Sequence, residues 1–145
     1  MAKPKIIVIC GPTAVGKTVV IQQVLKKLPS LKTGTTYTTR PLRDKTSEDK
    51  VMHHVTRQEF ETKIKTNELI EWAEYNGNYY GNSKESWADD IDSEVLLNLD
   101  IRGSLQIKTL YPESLLIFIA PENLEQIKER LERRNLTAEE LANRL

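Results

Sequence analysis

The chain is poor in the features that would mark several protein classes. It has one cysteine, Cys10, so no internal disulfide can form and a reducing, cytoplasmic setting is the expected one. No apolar run approaches the ~20 residues of a membrane span, and the start, Met1-Ala2-Lys3-Pro4-Lys5, has no long apolar core of the signal-peptide kind. There is no net charge either: 21 Lys and Arg balance 21 Asp and Glu, which argues against a bulk electrostatic nucleic-acid binder. Repeats, linkers and low-complexity tracts are missing, and 145 residues suit one domain with a core of its own.

The charge that is present is unevenly placed. Residues 1–50 carry ten Lys/Arg against three Asp/Glu, while residues 51–100 carry four against eleven. A basic first third on a neutral chain suggests a local anion site, although scattered surface charge has the same composition. Lys5-Ile6-Ile7-Val8-Ile9-Cys10 reads as a strand buried on both faces. A helix follows from Lys17 and stops before Pro29. Residues 35–39 are extended, 42–50 form a loop, 57–66 a helix and 69–75 a strand, with Asn76-Gly77-Asn78 as a hairpin turn. A helix is predicted over 84–91, a buried strand over 95–100, a helix over 102–110 and a third strand from Leu115 to Ala120. Pro121 then opens a helix with Leu124, Ile127 and Leu131 on its apolar face. Strands separated by helices of this length predict an α/β fold with a parallel sheet and right-handed crossovers.

The sharpest motif is Gly11-Pro12-Thr13-Ala14-Val15-Gly16-Lys17-Thr18, which fits the phosphate-binding pattern G-x-x-x-x-G-K-[ST]. Ordinary composition produces it by chance in fewer than roughly one chain in a hundred of this size. A buried strand precedes it and a helix follows, so inward-turned backbone N–H groups and the helix N-terminus can cradle phosphates. Lys17 suits the β- and γ-phosphates and Thr18 a Mg²⁺ ion. Next comes Thr36-Tyr37-Thr38-Thr39-Arg40-Pro41-Leu42-Arg43, where two arginines three apart could clamp one phosphate; taken alone, they could equally be surface charge. Glu71-Trp72-Ala73-Glu74-Tyr75 follows, with Glu71 and Ala73 on one strand face and Trp72 and Glu74 on the other, then Gly77-Asn78-Tyr79-Tyr80-Gly81-Asn82-Ser83. Arg130 and Arg134 are spaced i,i+4 and share a helix face. His53 and His54, adjacent on an extended segment, point oppositely and do not suit a shared metal.

A phosphate loop, T-T-R-P-x-R, E-W-A-E, G-N-Y-Y-G and a buried strand ending in Asp100, in that order, resemble guanylate kinase along the whole chain. The resemblance implies a P-loop NTPase-type sheet and transfer of the γ-phosphoryl of Mg-ATP to GMP or dGMP. It implies a core over 1–34 and 92–125, a nucleoside-monophosphate-binding region over 35–91 and an Arg-bearing lid over 126–145. Arg40 and Arg43 match the family's GMP-phosphate ligands, Tyr80 a further contact, Glu71 the carboxylate that reads guanine, Thr36 a hydroxyl facing guanine O6 and Asp100 an acidic residue near the base. Arg130, Arg134 and Arg144 match lid arginines, which together with Lys17 and Arg40 make up the expected catalytic set.

Three positions depart from the family pattern: Met52 stands where a phosphate-binding Tyr is usual, Asp44-Lys45-Thr46-Ser47-Glu48 replaces a Gly-Glu-x-x-Gly run, and Asn82 replaces Ser or Thr. Because these changes fall on the acceptor side, a related kinase of another phosphorylated acceptor and a non-enzymatic phosphoprotein-binding module both stay open at this point. Thr137-Ala138-Glu139-Glu140 is a capping box, with Leu141 and Leu145 on one face of the helix it starts. Family members continue for several tens of residues. The sequence therefore leads us to expect an abbreviated chain with three clear core strands, low activity, weak ATP affinity, and an uncovered apolar face that allows a homodimer.

Overall fold

The computed structural model describes residues 5–42, 51–85, 92–134 and 137–142. The run expected to be buried on both faces forms β1 (Lys5–Cys10). The phosphate-loop motif leads from it into α1 (Lys17–Lys27). After β2 (Lys32–Thr33) and β3 (Thr36–Thr38) come β4 (Met52–His54), α2 (Arg57–Lys65), β5 (Leu69–Tyr75) and β6 (Asn78–Ser83). The chain then returns through β7 (Glu94–Leu99), α3 (Ile101–Leu110), β8 (Leu115–Phe118), α4 (Leu124–Glu132) and α5 (Ala138–Ala142).

Two four-stranded sheets result. The first has the order β2-β7-β1-β8 and is parallel throughout, with Val8 opposite Leu97 in β7 and Leu116 in β8. Ile6, Val8, Cys10, Val95, Leu97, Leu99 and Ile107 pack into one core. The second sheet, β4-β3-β6-β5, is mixed: β3 pairs β4 in parallel, and β6 runs antiparallel to both β3 and β5. Its hairpin turns at Asn76 and Gly77, both at positive φ, as the sequence signal requires. On β5, Leu69 pairs with Ser83 and Glu71 with Asn82, so Ile70 is an extra residue, a β-bulge. Leu69, Ile70 and Glu71 are consequently all buried, and Ile70 enters the core of the parallel sheet.

Several expectations are corrected. The first sheet has four strands rather than three, because two residues of β2, too short to show a period, are recruited by Val95 and Leu96 of β7. The third predicted strand ends at Phe118: among the described residues β8 pairs only with β1, and Leu115, Ile117 and Phe118 are exposed. Pro121 does not open α4. Asn123 caps that helix by accepting from the Gln126 N–H at 2.9 Å, so the first turn begins at Leu124. Leu124 is 76% exposed, while Ile127 and Leu131 are buried against Ala14 of the phosphate loop. Lys84 and Glu85 are not helical, and the rest of the predicted 84–91 helix, like most of the 42–50 loop, falls outside the described residues. No helix among the described residues is long and apolar enough to cross a membrane.

These placements separate two leucines on one helix. Leu131→Ala removes a fully buried side chain and is expected to cost about 2–5 kcal/mol in urea denaturation, whereas Leu124→Ala should stay within about 0.5 kcal/mol of wild type.

Candidate active site

The donor end lies where β1 runs out. Gly11 has φ of 152°, and a Cβ there would come within 2.5 Å of the Ile119 carbonyl oxygen, so only glycine lets the loop pass so close to the strand end. Gly16 caps α1 with left-handed backbone and no side-chain bond, which leaves the first N–H groups of the helix for an anion. Lys17 reaches back across the loop and donates to the carbonyls of Gly11 and Pro12, each at 2.8 Å. Thr18 is half-buried in the first turn of α1. The loop thus has the open helix N-terminus, the turned backbone and the ammonium that a nucleotide's phosphates need.

The arginines of α4 are brought to this loop by packing. With Ile127 and Leu131 seated on Ala14, Arg130 extends over the turn and its Nη1 donates to the carbonyls of Ala14 at 3.2 Å and Val15 at 3.0 Å. A cleft of 530 Å³ opens between Ala14, Val15, Gly16 and Val19 on one side and Arg130, Arg133 and Arg134 on the other. Arg133 was not among the sequence candidates, since it lies one position off the i,i+4 pair. Arg144 falls outside the described residues.

The other half of the candidate site is built on the second sheet. Glu71 is 6% exposed. Its Oε1 accepts from Asn82 Nδ2 at 2.7 Å, and Asn82 Oδ1 accepts from the Thr36 hydroxyl at 2.9 Å, so β5, β6 and β3 are joined by one polar chain. Across from it, Asp100 caps α3 by accepting from the Gly103 N–H at 2.7 Å. Burial pushes the Glu71 carboxyl up to about 7; Asp100 adds to the rise, while the bonds from Asn82 oppose it. Asn82 stands out in the sequence only as a departure from the family pattern, and Gly103 gives no sequence signal at all.

Arg40 is 6% exposed, its N–H donating to Thr38 Oγ1 at 3.1 Å and its carbonyl accepting from His54 Nδ1 at 2.7 Å. His54, unsuited to a metal by the sequence pattern, therefore anchors the backbone of the arginine segment. Tyr80 is half-buried on β6 opposite Thr38 and Ala73. Arg43 lies outside the described residues. Met52 pairs with Thr36 at the edge of the same sheet. No group of three or more His, Cys, Asp or Glu side chains among the described residues is placed to hold a metal ion.

A parallel sheet that delivers a phosphate loop at the end of β1, faced by a second sheet with a buried acidic side chain, defines a phosphate-loop α/β protein of the nucleotide-kinase kind. Residues 3–145 match the family described as Guanylate kinase. The guanylate kinase of Gloeobacter violaceus (strain ATCC 29082 / PCC 7421) is 36% identical over 142 residues, covering 97% of this chain and 69% of that protein. The guanylate kinase of Clostridium tetani (strain Massachusetts / E88) is 37% identical over 142 residues, covering 97% and 68%. The crystal structure of guanylate kinase from Anaplasma phagocytophilum matches with a TM-score of 0.75 at 26% identity, over 92% of this chain and 69% of that one. The chain belongs to the guanylate kinase family.

The raised Glu71 carboxyl links stability to pH. An acid whose folded-state value lies above its ordinary 4.5 stabilises the fold fully below 4.5, and that contribution is lost as pH rises through about 7. Glu71→Gln should remove this loss, leaving the variant more stable than wild type at pH 8 by on the order of 1–3 kcal/mol, with a smaller difference at pH 5, measured by urea unfolding.

Proposed function

We propose that this protein is an ATP-dependent guanylate kinase, transferring the γ-phosphoryl of Mg-ATP to GMP or dGMP to give ADP and the corresponding diphosphate. The observation that carries the acceptor assignment is the buried Glu71 carboxylate, held between Asn82 and the α3 N-terminus with no lysine or arginine paired to it among the described residues. Such a group needs hydrogen-bond donors from its ligand. Guanine offers two on adjacent atoms, N1–H and the exocyclic amine. Adenine has no N1–H and would leave the carboxylate unsatisfied, a loss that discriminates strongly.

In this reading residues 1–34 and 92–125 are the core, 35–91 the monophosphate-binding region and 126–145 the lid. Gly11 to Thr18 hold the donor phosphates, and Lys17 exchanges its two loop carbonyls for oxygens of the β- and γ-phosphates. Thr18 is the residue suited to Mg²⁺, which supplies charge neutralisation on those phosphates when bound. Arg130 and Arg134, with Arg144, neutralise charge that spreads over the phosphoryl in transit. Arg40 and Arg43, with Tyr80, receive the acceptor's phosphate; Thr36 and Asp100 flank the base. No strong base is required, because positioning and electrostatics carry phosphoryl transfer.

The test is an assay of ADP release with Mg-ATP against GMP, dGMP, AMP, CMP, UMP and a ribose bisphosphate. GMP and dGMP should be the preferred acceptors; preference for a ribose bisphosphate would overturn the reading. Lys17→Met should abolish most turnover while GMP affinity by calorimetry stays near wild type, since Lys17 serves the donor. Met52→Tyr places a hydroxyl donor beside the acceptor phosphate, and one charge-assisted bond of about 1.5–3 kcal/mol should lower the Michaelis constant for GMP roughly tenfold or more. An unchanged constant would place the phosphate elsewhere.

A further inference from the structure

A carboxylate that reads two adjacent N–H donors must keep both oxygens aimed at them, and Glu71 has a different neighbour at each oxygen. At Oε1 the neighbour is Asn82 Nδ2, 2.7 Å away. The amide cannot rotate to lose this bond without losing the other one it makes, because its Oδ1 accepts from Thr36 Oγ1. The amide therefore presents its donor to Glu71 and its acceptor to Thr36, and this fixes the sense of both contacts. At Oε2 the neighbour is Gly103, in the first turn of α3. A Cβ built on Gly103 would lie 2.7 Å from Oε2 and 3.4 Å from Asp100 Oδ1, so the space that Oε2 occupies exists only because residue 103 has no side chain.

We propose that Asn82 and Gly103 are positioning residues for base recognition, Asn82 by holding one oxygen of Glu71 through its bridge to Thr36 and Gly103 by making room for the other. The proposal rests on the reading of Glu71 as the guanine-binding carboxylate. Neither residue touches the reacting phosphoryl. Each acts through Glu71, by keeping the carboxylate in one rotamer with its unbonded lone pairs turned to the base.

The arrangement also sets the charge state of Glu71. Among the described residues the charged group that faces it is Asp100, from the start of α3; β6 and β3 contribute Asn82 and Thr36, which do not titrate. Burial and Asp100 favour the protonated acid, whereas the bonds from Asn82 favour the carboxylate. A protonated Glu71 loses one of the two acceptor positions that guanine needs. Affinity for GMP should then rise with pH through the titration of Glu71, and removing the Asn82 amide should move that rise to higher pH.

The experiment compares kcat and the Michaelis constants for GMP and ATP in wild type, Asn82→Ala, Gly103→Ala and Glu71→Gln, between about pH 6 and 9. Glu71→Gln serves as the profile without Glu71 and so removes the titration of the nucleotide's own phosphate near pH 6. Asn82→Ala and Gly103→Ala should each raise the Michaelis constant for GMP about tenfold near pH 7, the loss of one charge-assisted bond, with kcat and the constant for ATP little changed. Asn82→Ala should in addition shift the midpoint of the profile upward. If Asn82→Ala does not fold, Gly103→Ala carries the same test from the other oxygen. Wild-type GMP constants and midpoint in both variants, alongside an impaired Glu71→Gln, would overturn the positioning role and leave the guanine reading standing. Equal losses in kcat and in both Michaelis constants with an unmoved midpoint would show a merely structural role and also overturn it. An unimpaired Glu71→Gln would instead sink the guanine reading itself.

Discussion

Burying a carboxylate away from any cation is among the costlier acts a small domain can perform. Much of the second sheet is arranged around one such group. Glu71 is held by an amide from β6, which is itself bonded to a hydroxyl on β3. The α3 N-terminus closes the far side with a glycine. Three short strands that could slide against one another are thereby cross-linked through polar atoms at the point where they face the first sheet. Nothing apolar at that position would fix their mutual placement as narrowly, since hydrophobic contact is not directional.

The donor end follows a different economy. There the backbone turns its own polar groups inward, and side chains act mainly to shape it. Gly11 permits the approach to Ile119, while Ala14 is buried beneath Ile127 and Leu131 of α4. The last contact ties the phosphate loop to the helix that bears Arg130, Arg133 and Arg134, so the arginines are delivered by apolar packing rather than by attraction to the loop. Lys17 and Arg130 both bond to loop carbonyls, which aligns the two cations along the turn. An ordered cation has less side-chain freedom to lose on binding than a solvated one.

The strand, loop and helix of the phosphate-loop motif were largely legible in the sequence. G-P-T-A-V-G-K-T between a buried strand and a helix names its own geometry, because glycine and lysine at that spacing answer a backbone requirement. Glu71 stood out from its place in an ordered set of motifs, but its burial did not: period-two alternation predicts the face of a side chain and says nothing about what covers that face. Asn82 showed only as an unusual residue, and its bridge depends on pairing across forty-six positions with Thr36. Gly103 and β2 left no trace, the one because a missing side chain has meaning only beside its neighbour, the other because two residues carry no period. The start of α4 was misread for a local reason, since a proline and an asparagine two residues apart both signal a helix start and the asparagine's hydrogen bond prevailed.

The bulge at Ile70 has a consequence for how such a site can change over evolutionary time. Because Ile70 is the extra residue, Leu69 and Glu71 stand on consecutive rungs opposite Ser83 and Asn82; in an unbroken ladder Ile70 would face Asn82 and Glu71 would turn to the other side of the sheet. The strand's rhythm is reset at the point between its apolar anchor and its buried carboxyl. A single-residue slip there changes no chemical group and leaves E-W-A-E intact, letter for letter. Yet it would turn Glu71 away from Asn82 and bring Trp72 to that face. Which side chain meets Asn82 is thus set by the count of residues along β5 as much as by their identity.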